Sequence, residues 1–182
     1  TTNTTRIKKI IKKCKVIYLG NLKYDQVFKN YQIDIIINTA VQYNRKNESI
    51  KKVYDGNFNF PLNLLQYAIK YDVKYFINSD TFYSKYRDNY SLSKKHFVDL
   101  LYFFRKKIKI INLRLAHSYG ENDNEIKFLP WLLKQIKMKN NIIKIRNPYE
   151  YRDFIHVDDV ANCFIKIIKN IDVFKKNFYL IN

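Results

Sequence analysis

The sequence predicts an α/β fold, in which a parallel sheet is covered by helices on both faces. Short β-branched runs, among them DIIINTA, VKYFINS and KIKIINLRLA, alternate with amphipathic stretches of about ten residues or more. These strand segments are apolar nearly throughout, which is typical of strands that are buried on both faces. The two observations together indicate a doubly wound parallel sheet, and the sequence shows no internal repeat and no low-complexity linker.

The elements can be assigned in order along the chain. Apolar and β-branched runs predict strands at residues 14–20, 34–40, 73–79, 107–116, 141–147 and 177–182. Amphipathic stretches predict helices at residues 23–31, 49–71, 90–106, 128–140 and 158–170. Asp158 and Asp159 suit the cap of the last helix. Ligands of such sheets bind at the carboxyl ends of the strands, and Ala40, Ser79 and His117 fall at or just past those ends.

Composition gives the chain a formal net charge of +18. Such a charge taken alone suggests a nucleic-acid partner. Only seven of the 34 basic residues are arginine, however, and a general bias towards Lys, Ile, Asn, Tyr and Phe explains surface lysine without selection for phosphate. We therefore expect no nucleic-acid partner, although the charge should steer an anionic substrate towards the protein.

Cysteine content and hydropathy bear on the compartment. Cys14 and Cys163 offer neither a disulfide framework nor a metal-ligand spacing, so we expect a reduced, cytoplasmic protein without a metal site. The longest apolar run, about residues 31–41, is too short to span a membrane and contains Asp34 and Asn38. No secretory signal is visible, and we expect no membrane partner.

A hydroxyl cluster followed by a Tyr-x-x-x-Lys pair forms the most informative stretch. Ser79 and Thr81 end a predicted strand, and Tyr90 and Lys94 stand one helical turn apart at the start of the next helix. The helix dipole favours a phenolate there, and the ammonium should lower the tyrosine pKa from its ordinary value of about 10. A hydroxyl, a phenol and an ammonium around one point can protonate or deprotonate a carbonyl or alcohol oxygen.

Two less specific interpretations of this spacing stay open. A chain with 16 tyrosines and many lysines contains such pairs by chance, and Tyr102 with Lys106 is a second one. That pair comes three turns later, at the polar exit of the same helix, and we interpret it as ordinary helix surface. Tyr90 could likewise be an exposed ring stacked on the stem of Lys94. The neighbouring motifs favour the catalytic interpretation.

Several further motifs occur in the order and spacing of a known family. They are DIIINTA, Asn57 in DGNFNFPLNLLQYA, FINSDTFYS, YSLSK, NLRLAHSYG and RDFIHVDDVA. Together they resemble the extended short-chain dehydrogenase/reductases, which include nucleotide-sugar epimerases, dehydratases and ketoreductases, over essentially all 182 residues. RDFIHVDDVA is the most specific motif because it is typical of the nucleotide-sugar branch. The resemblance implies a Rossmann-like sheet, a nucleotide-sugar substrate, and NAD(H) or NADP(H) as cofactor.

A finer likeness concerns the short stretch between Ser79 and Tyr90, the NSDT sequence, and HSYGENDNEIKFLPWLLKQI followed by RDFI. These features, with TTNTTRIKKI at the start, resemble the group of CDP-abequose and CDP-paratose synthases. Members of that group reduce the 4-keto carbon of CDP-4-keto-3,6-dideoxyglucose with NADPH. The likeness therefore implies a CDP-sugar as substrate and 4-ketoreduction as the reaction.

The resemblance also implies a role for each matching residue. It makes Tyr90 the acid/base, Lys94 its electrostatic partner, and Ser79 the donor to the reacting sugar oxygen. The residues expected to bind the cofactor are Ala40, Val41, Asn57, Tyr90, Lys94 and His117. The residues expected to bind the substrate are Thr81, Lys127 and Arg152. His117 stands where many relatives carry asparagine, and a histidine hydrogen-bonded beside Tyr119 would explain it equally well.

The same constellation serves more than one reaction. An epimerase or dehydratase would use the phenol in the oxidising direction, but a dehydratase normally adds an acidic dyad, and here Asp80 is followed by Thr81. A further alternative is a non-catalytic sugar-nucleotide binding or oligomerisation module. The reason is that a glycine-rich turn for the pyrophosphate is missing, since Gly20, Gly56 and Gly120 are scattered.

The missing turn predicts a fragment of a longer enzyme, with the first βαβ unit absent. We expect a partial Rossmann-like cofactor domain at residues 1–117, a substrate-binding segment at 118–151, and a return to the α/β domain at 152–182. Such a fragment should be inactive alone. The intact protein is expected to form a homodimer through the helices around Asn57 and Tyr90, as relatives of the resembled family do.

Overall fold

The structure is a computed structural model of the chain. It describes residues 10–17, 24–44, 47–121, 123–139, 142–145 and 147–182. Within these ranges no helix is both long and apolar enough to cross a membrane.

A four-stranded parallel sheet forms the centre of the fold. Its strands are β1 (Ile35–Asn38), β2 (Tyr75–Thr81), β3 (Lys109–Leu115) and β6 (Phe178–Ile181), and they lie in the order β1-β2-β3-β6. All three pairings are parallel. The register aligns Asn38 with Asn78 and Asn78 with Asn112, so the strands reach the carboxyl edge together. The predicted parallel sheet is confirmed.

Helices connect the strands. They are α1 (Tyr24–Asn30), α2 (Ile50–Tyr54), α3 (Phe60–Lys70), α4 (Asn89–Phe104), α5 (Phe128–Lys137) and α6 (Val157–Lys169). A π-helical turn, Asp55–Asn59, joins α2 to α3, so residues 50–70 form one continuous helical segment as the sequence predicts. The last helix begins differently from the prediction, because His156 is its N-cap while Asp158 and Asp159 lie in its first turn.

Helices cover both faces of the sheet, as a doubly wound fold requires. On one face Phe76 and Ile110 pack with Phe97 and Leu101 of α4 and with residues of α3. On the other face a second cluster is formed by Ile77, Ile111, Leu113 and Ile167, the last of which belongs to α6. Fully burying each such side chain contributes about 1.5–3 kcal/mol. The two clusters therefore hold the sheet rigidly between its helices.

Two predicted strands are not seen in their described residues, and two short strands that the sequence did not predict are formed. Residues 14–17 and 142–145 adopt no regular structure, and residues 18–20, 141 and 146 of these two predicted strands lie outside the described residues. A small parallel sheet instead joins β4 (His117–Tyr119) to β5 (Phe154–His156). Three-residue strands are too short to show a period in sequence. This small sheet brings the RDFI motif to the carboxyl edge of β3.

A close backbone approach explains one glycine. A Cβ built on Gly56 would lie 2.6 Å from Cβ of Gln42, closer than such atoms come in proteins. Gly56 lies in the π-helical turn, and Gln42 lies in the segment that follows β1. Glycine at this position therefore lets the helical segment pack directly on the loop at the carboxyl end of β1.

Candidate active site

A large cavity opens at the carboxyl ends of the strands. Its volume is about 820 Å³, and residues from β2, α4, β4, α5, β5 and α6 line it. Eight of the residues that the sequence singled out lie in its wall, namely Val41, Ser79, Thr81, Tyr90, Lys94, His117, Lys127 and Arg152. The structure therefore brings most of the predicted residues to one place. Their individual roles remain predictions.

The cap of α4 positions Tyr90. The Asp88 side chain accepts a hydrogen bond from the backbone N–H of Ser91 at 2.7 Å, which starts the helix and places Tyr90 in its first turn. The Tyr90 ring packs on Tyr43 with centroids 5.2 Å apart. A hydrogen bond from the Thr81 hydroxyl favours the phenolate, and the negative charges of Asp80 and Asp88 oppose it.

Burial dominates the ionisation of Tyr90. It raises the pKa of Tyr90 well above the ordinary value of 10, and the neighbouring Tyr43 raises it further. This differs from the sequence argument, in which Lys94 lowers the tyrosine pKa. The physical reason is that the ring is taken out of water, so the charged form loses its hydration. Tyr90 is therefore a phenol, a proton donor, throughout the neutral range.

Lys94 is buried in the wall of the same cavity. Its Nζ donates a hydrogen bond to the backbone carbonyl oxygen of Ser79 at 2.5 Å, and only 5% of the residue is exposed. Burial lowers the pKa of Lys94 to about 8, while the charge of Asp80 acts in the opposite direction and that of Lys95 adds to the lowering. The ammonium thus lies at the cavity wall with one donor already engaged.

Ser79 and Thr81 lie on the same face of β2, since side chains alternate along a strand. The Ser79 hydroxyl donates to the backbone carbonyl oxygen of Asn38 at 3.0 Å. The Thr81 hydroxyl accepts from the backbone N–H of Tyr83 at 3.3 Å. Both hydroxyls are buried at the cavity. Ser79 can donate to a ligand only if its hydroxyl rotates away from Asn38.

Asn57 and Ala40 lie behind the cavity and are absent from its wall. The Asn57 side chain accepts from the backbone N–H of Gln42 at 2.8 Å and donates to the Gln42 carbonyl at 2.9 Å. It also donates to the Ser93 hydroxyl at 3.0 Å, which in turn donates to the Tyr90 carbonyl at 2.8 Å. Asn57 therefore joins the loop after β1 to the turn that carries Tyr90. Its predicted contact with the cofactor stays a prediction.

His117 has a partner that the sequence did not suggest. Its Nε2 lies 2.6 Å from the phenolic oxygen of Tyr83, and both residues line the cavity. Tyr119, the expected neighbour, packs instead on His156 with centroids 5.1 Å apart. Burial lowers the pKa of His117, which favours the neutral imidazole.

Two cations line the outer part of the cavity. Lys127 forms an ion pair with Asp123 at 2.8 Å and donates to the Ser118 carbonyl at 3.0 Å, so its charge is already compensated. Arg152 forms an ion pair with Glu150 at 2.6 Å, and its guanidinium carbon lies 5.8 Å from the centroid of the Phe128 ring. Of the two, Arg152 is the more exposed and the more available to an anion.

Sequence reasoning missed the polar residues beneath the site. These are Asn38, Asn78, Asn112 and Lys95, together with Asp80, which it considered only as half of an acidic dyad. A signal was present, because an Ile-Asn pair recurs in three predicted strands, at residues 37–38, 77–78 and 111–112. In contrast, the second Tyr-x-x-x-Lys pair lies on the surface as expected, with Tyr102 52% exposed.

Comparisons with known proteins agree with this fold. The chain is 36% identical over 143 residues to CDP-abequose synthase of Salmonella typhimurium, covering 74% of this chain and 48% of that protein. It is 37% identical over 147 residues to CDP-abequose synthase of Salmonella muenchen, covering 75% and 50%. The chain thus spans about half the length of the curated relatives that it matches.

Solved structures show the same fold. The structure of MoeE5 in complex with UDP-glucuronic acid and NAD superposes with a TM-score of 0.72 at 16% identity, over 89% of this chain and 59% of that one. The model of the NAD dependent epimerase/dehydratase family matches residues 1–181. This chain therefore belongs to the NAD dependent epimerase/dehydratase family.

Proposed function

We propose that the full-length protein is an NAD(P)-dependent nucleotide-sugar oxidoreductase that reduces the 4-keto group of a CDP-4-keto-dideoxyhexose. The relatives of highest identity among those described above are CDP-abequose synthases. The observation that carries the reaction type is the protonated phenol of Tyr90, hydrogen-bonded to Thr81, in a cavity wall that Lys94 also lines. Reduction of a ketone needs a proton at the oxygen as well as a hydride at the carbon.

The residues at the inner end of the cavity fit a nicotinamide cofactor. Val41, Leu115 and Ala116 supply apolar walls for a flat ring. Lys94 supplies an ammonium whose remaining donors can bind ribose hydroxyls. The chemistry that a bound nicotinamide supplies is hydride transfer.

The chain's own residues handle the proton. Tyr90 gives its proton to the sugar oxygen, and the phenolate that forms accepts a hydrogen bond from Thr81. The Lys94 ammonium, in the wall of the same cavity, adds a positive charge to the site. Each such preorganised donor is typically worth a few kcal/mol in the transition state. Ser79 becomes a second donor to the sugar oxygen when its hydroxyl leaves the Asn38 carbonyl.

Arg152 is the residue that we assign to the diphosphate of the nucleotide sugar. It lies in the cavity wall beside Phe128 and Phe154, and a planar guanidinium binds phosphate oxygens in a bidentate manner. Its present partner Glu150 is exposed, so exchanging that carboxylate for a diphosphate costs little. Lys127 contributes less because Asp123 neutralises it.

One structural feature favours a reductase over a dehydratase. A dehydratase would use Asp80 as an acid, whereas the Asp80 carboxylate accepts from Lys95 Nζ at 2.6 Å on the α4 side of the sheet. An epimerase would use the same phenol in the oxidising direction, so a measurement of net hydride transfer must separate it from a reductase.

Deuterium transfer tests this proposal. The full-length protein is incubated with CDP-4-keto-3,6-dideoxyglucose and NADPH that carries deuterium at its transferable position. A reductase gives a CDP-sugar heavier by one deuterium and consumes NADPH in equal amount. Unchanged NADPH, with a sugar that is isomerised or dehydrated, would support an epimerase or dehydratase instead. Tight binding of the CDP-sugar without any conversion would identify a non-catalytic binding module.

A further inference from the structure

A continuous chain of buried side-chain amides crosses the sheet beneath the candidate site. Asn38 Nδ2 donates to Asn78 Oδ1 at 2.8 Å, and Asn78 Nδ2 donates to Asn112 Oδ1 at 2.7 Å. Asn112 Nδ2 then donates to Asp80 Oδ2 at 3.3 Å. All four residues are at most 3% exposed. We call Asn38, Asn78 and Asn112 the asparagine ladder.

The direction of the ladder is fixed. At its first end the backbone N–H of Ala40 donates to Asn38 Oδ1 at 3.3 Å, in the loop after β1. From there every amide donates towards Asp80, so the aligned dipoles point their positive ends at the carboxylate. Hydrogen bonds in such a row polarise one another. The ladder therefore donates a hydrogen bond to the Asp80 carboxylate and gives partners to amides that would otherwise be buried without them.

Asp80 is also held by cations. Lys95 Nζ donates to Asp80 Oδ2 at 2.6 Å and makes a second hydrogen bond to the backbone carbonyl of Thr81. The guanidinium of Arg114 lies 4.0 Å from the same oxygen, at the surface. Asp80 Oδ1 is buried without a hydrogen-bond partner. A buried carboxylate with one bare oxygen retains an electric field that its partners do not fully cancel.

The position of this carboxylate matters because both proton-handling residues lie next to it. Asp80 stands between Ser79, whose carbonyl binds Lys94, and Thr81, whose hydroxyl binds Tyr90. We propose that Asp80, held by the asparagine ladder and Lys95, is a positioning residue whose charge shifts the proton affinities that burial gives Tyr90 and Lys94. This rests on the proposed function, in which Tyr90 is the acid.

The other charged and titratable groups around the pair are few in the part of the chain that the structure describes. Tyr43 from the loop after β1 and Asp88 from the cap of α4 act on Tyr90. Lys95, next to Lys94 on α4, acts on Lys94. The charge of Asp80 raises the pKa of both Tyr90 and Lys94, and that of Lys95 lowers the pKa of Lys94. Asp80 and Lys95 therefore act on the pair with opposite signs.

Because the charges of Asp80 and Lys95 act in opposite directions, variants of this one ion pair can test the inference. The Asp80→Asn variant lacks the negative charge, which favours the phenolate of Tyr90 and the free amine of Lys94. The alkaline limb of the profile of kcat against pH should therefore shift to lower pH. In the Lys95→Met variant Asp80 loses its counter-ion, and the same limb should shift to higher pH. We expect each shift to reach at least about 0.5 pH unit. The Asp80→Asn/Lys95→Met double variant should return the limb close to that of the wild type.

The measurement is the pH profile of kcat of the full-length protein with the CDP-ketosugar and NADPH, with circular dichroism to verify folding. A merely structural role would lower kcat in both single variants and leave the limb in place, and that result would overturn the inference. Shifts of the same sign would overturn it too. If either single variant does not fold, the surface variant Arg114→Gln decides. Arg114→Gln should shift the limb to higher pH by a smaller amount, and an unshifted limb would contradict the inference.

A parallel variant separates the inference from the proposed function. If Tyr90→Phe retains normal turnover in the same assay, the proposed function fails, whatever the profiles show. If Tyr90→Phe loses turnover but the limb stays fixed in the Asp80 and Lys95 variants, only the inference about Asp80 fails.

Discussion

The ammonium of Lys94 donates a hydrogen bond to the backbone carbonyl of Ser79 across 2.5 Å, and the contact is buried. It joins the first turns of α4 to the carboxyl end of β2. The contact fixes the two elements that carry the phenol and the hydroxyls of the candidate site. It also keeps a charged group out of water, which has a measurable consequence for stability.

The pH dependence of folding should report this buried lysine. Its pKa is lowered from 10.5 in the unfolded chain to about 8 in the folded one. The unfolded state therefore binds more protons between these values, and stability rises with pH across this window. Below about pH 8 the cost of burying the charged ammonium lowers the free energy of unfolding by its full amount. The free energy of unfolding of the wild type should gain about 3 kcal/mol relative to the Lys94→Met variant between pH 8 and 10.5.

Urea unfolding of both proteins at several pH values makes this measurement, and the wild type minus variant difference removes the contribution of other lysines and tyrosines. Lys106→Met is a matched control at an exposed position after the same helix. A difference that stays constant across the window for Lys94→Met, as for the control, would contradict the account of its burial.

The side chain of Asn57 should contribute more to the free energy of unfolding than that of Asn59 in the same π-helical turn. The Asn57→Ala variant leaves the backbone N–H and carbonyl of Gln42 without their partners, and we expect a loss of about 2 kcal/mol. Asn59 is exposed and binds only Asp55, so the Asn59→Ala variant should change stability by less than about 0.5 kcal/mol. Chemical denaturation of the two variants compares them directly. Equal losses would show that the link to Gln42 is unimportant.

Arg152 should act on substrate binding and leave the chemical step alone. In the Arg152→Gln variant the guanidinium that we assign to the diphosphate is removed. KM for the CDP-sugar should rise about 10- to 100-fold at nearly unchanged kcat, as expected for a charge-assisted contact. Steady-state kinetics at low and high salt test this. Arg105→Gln removes a cation on the opposite edge of the sheet and should alter neither constant.

The alternation of strands and helices could be predicted from the sequence because the two central strands, β2 and β3, are largely buried on both faces. Residues 73–79 and 107–116 are apolar runs. β3 lies within the second run, and β2 begins in the first run and continues to Thr81. The positions of Ser79, Tyr90 and Lys94 at the cavity follow from the same pattern, since strand ends and helix starts meet at one edge of a parallel sheet. Residues 14–17 have a β-branched composition too, but they form no strand. A β-branched composition alone therefore does not determine whether a segment forms a strand of the sheet.

The polar interior could not be predicted from the sequence in the same way. Hydrogen bonds between Asn38, Asn78 and Asn112 depend on the register of three strands, which no local pattern specifies. The contact between Tyr83 and His117 joins residues 34 positions apart. The raised pKa of Tyr90 follows from burial, which became visible only once the strands and α4 were packed together.

Turnover of the Tyr90→Phe variant tests the central claim, that the Tyr90 phenol delivers the proton, most directly. The variant keeps the ring that packs on Tyr43 and lacks only the hydroxyl. Full-length protein with the CDP-ketosugar and NADPH should lose kcat by about 10²- to 10⁴-fold. The Tyr102→Phe variant, changed in the second and exposed Tyr-x-x-x-Lys pair, should match the wild type. Wild-type turnover in Tyr90→Phe would contradict the claim.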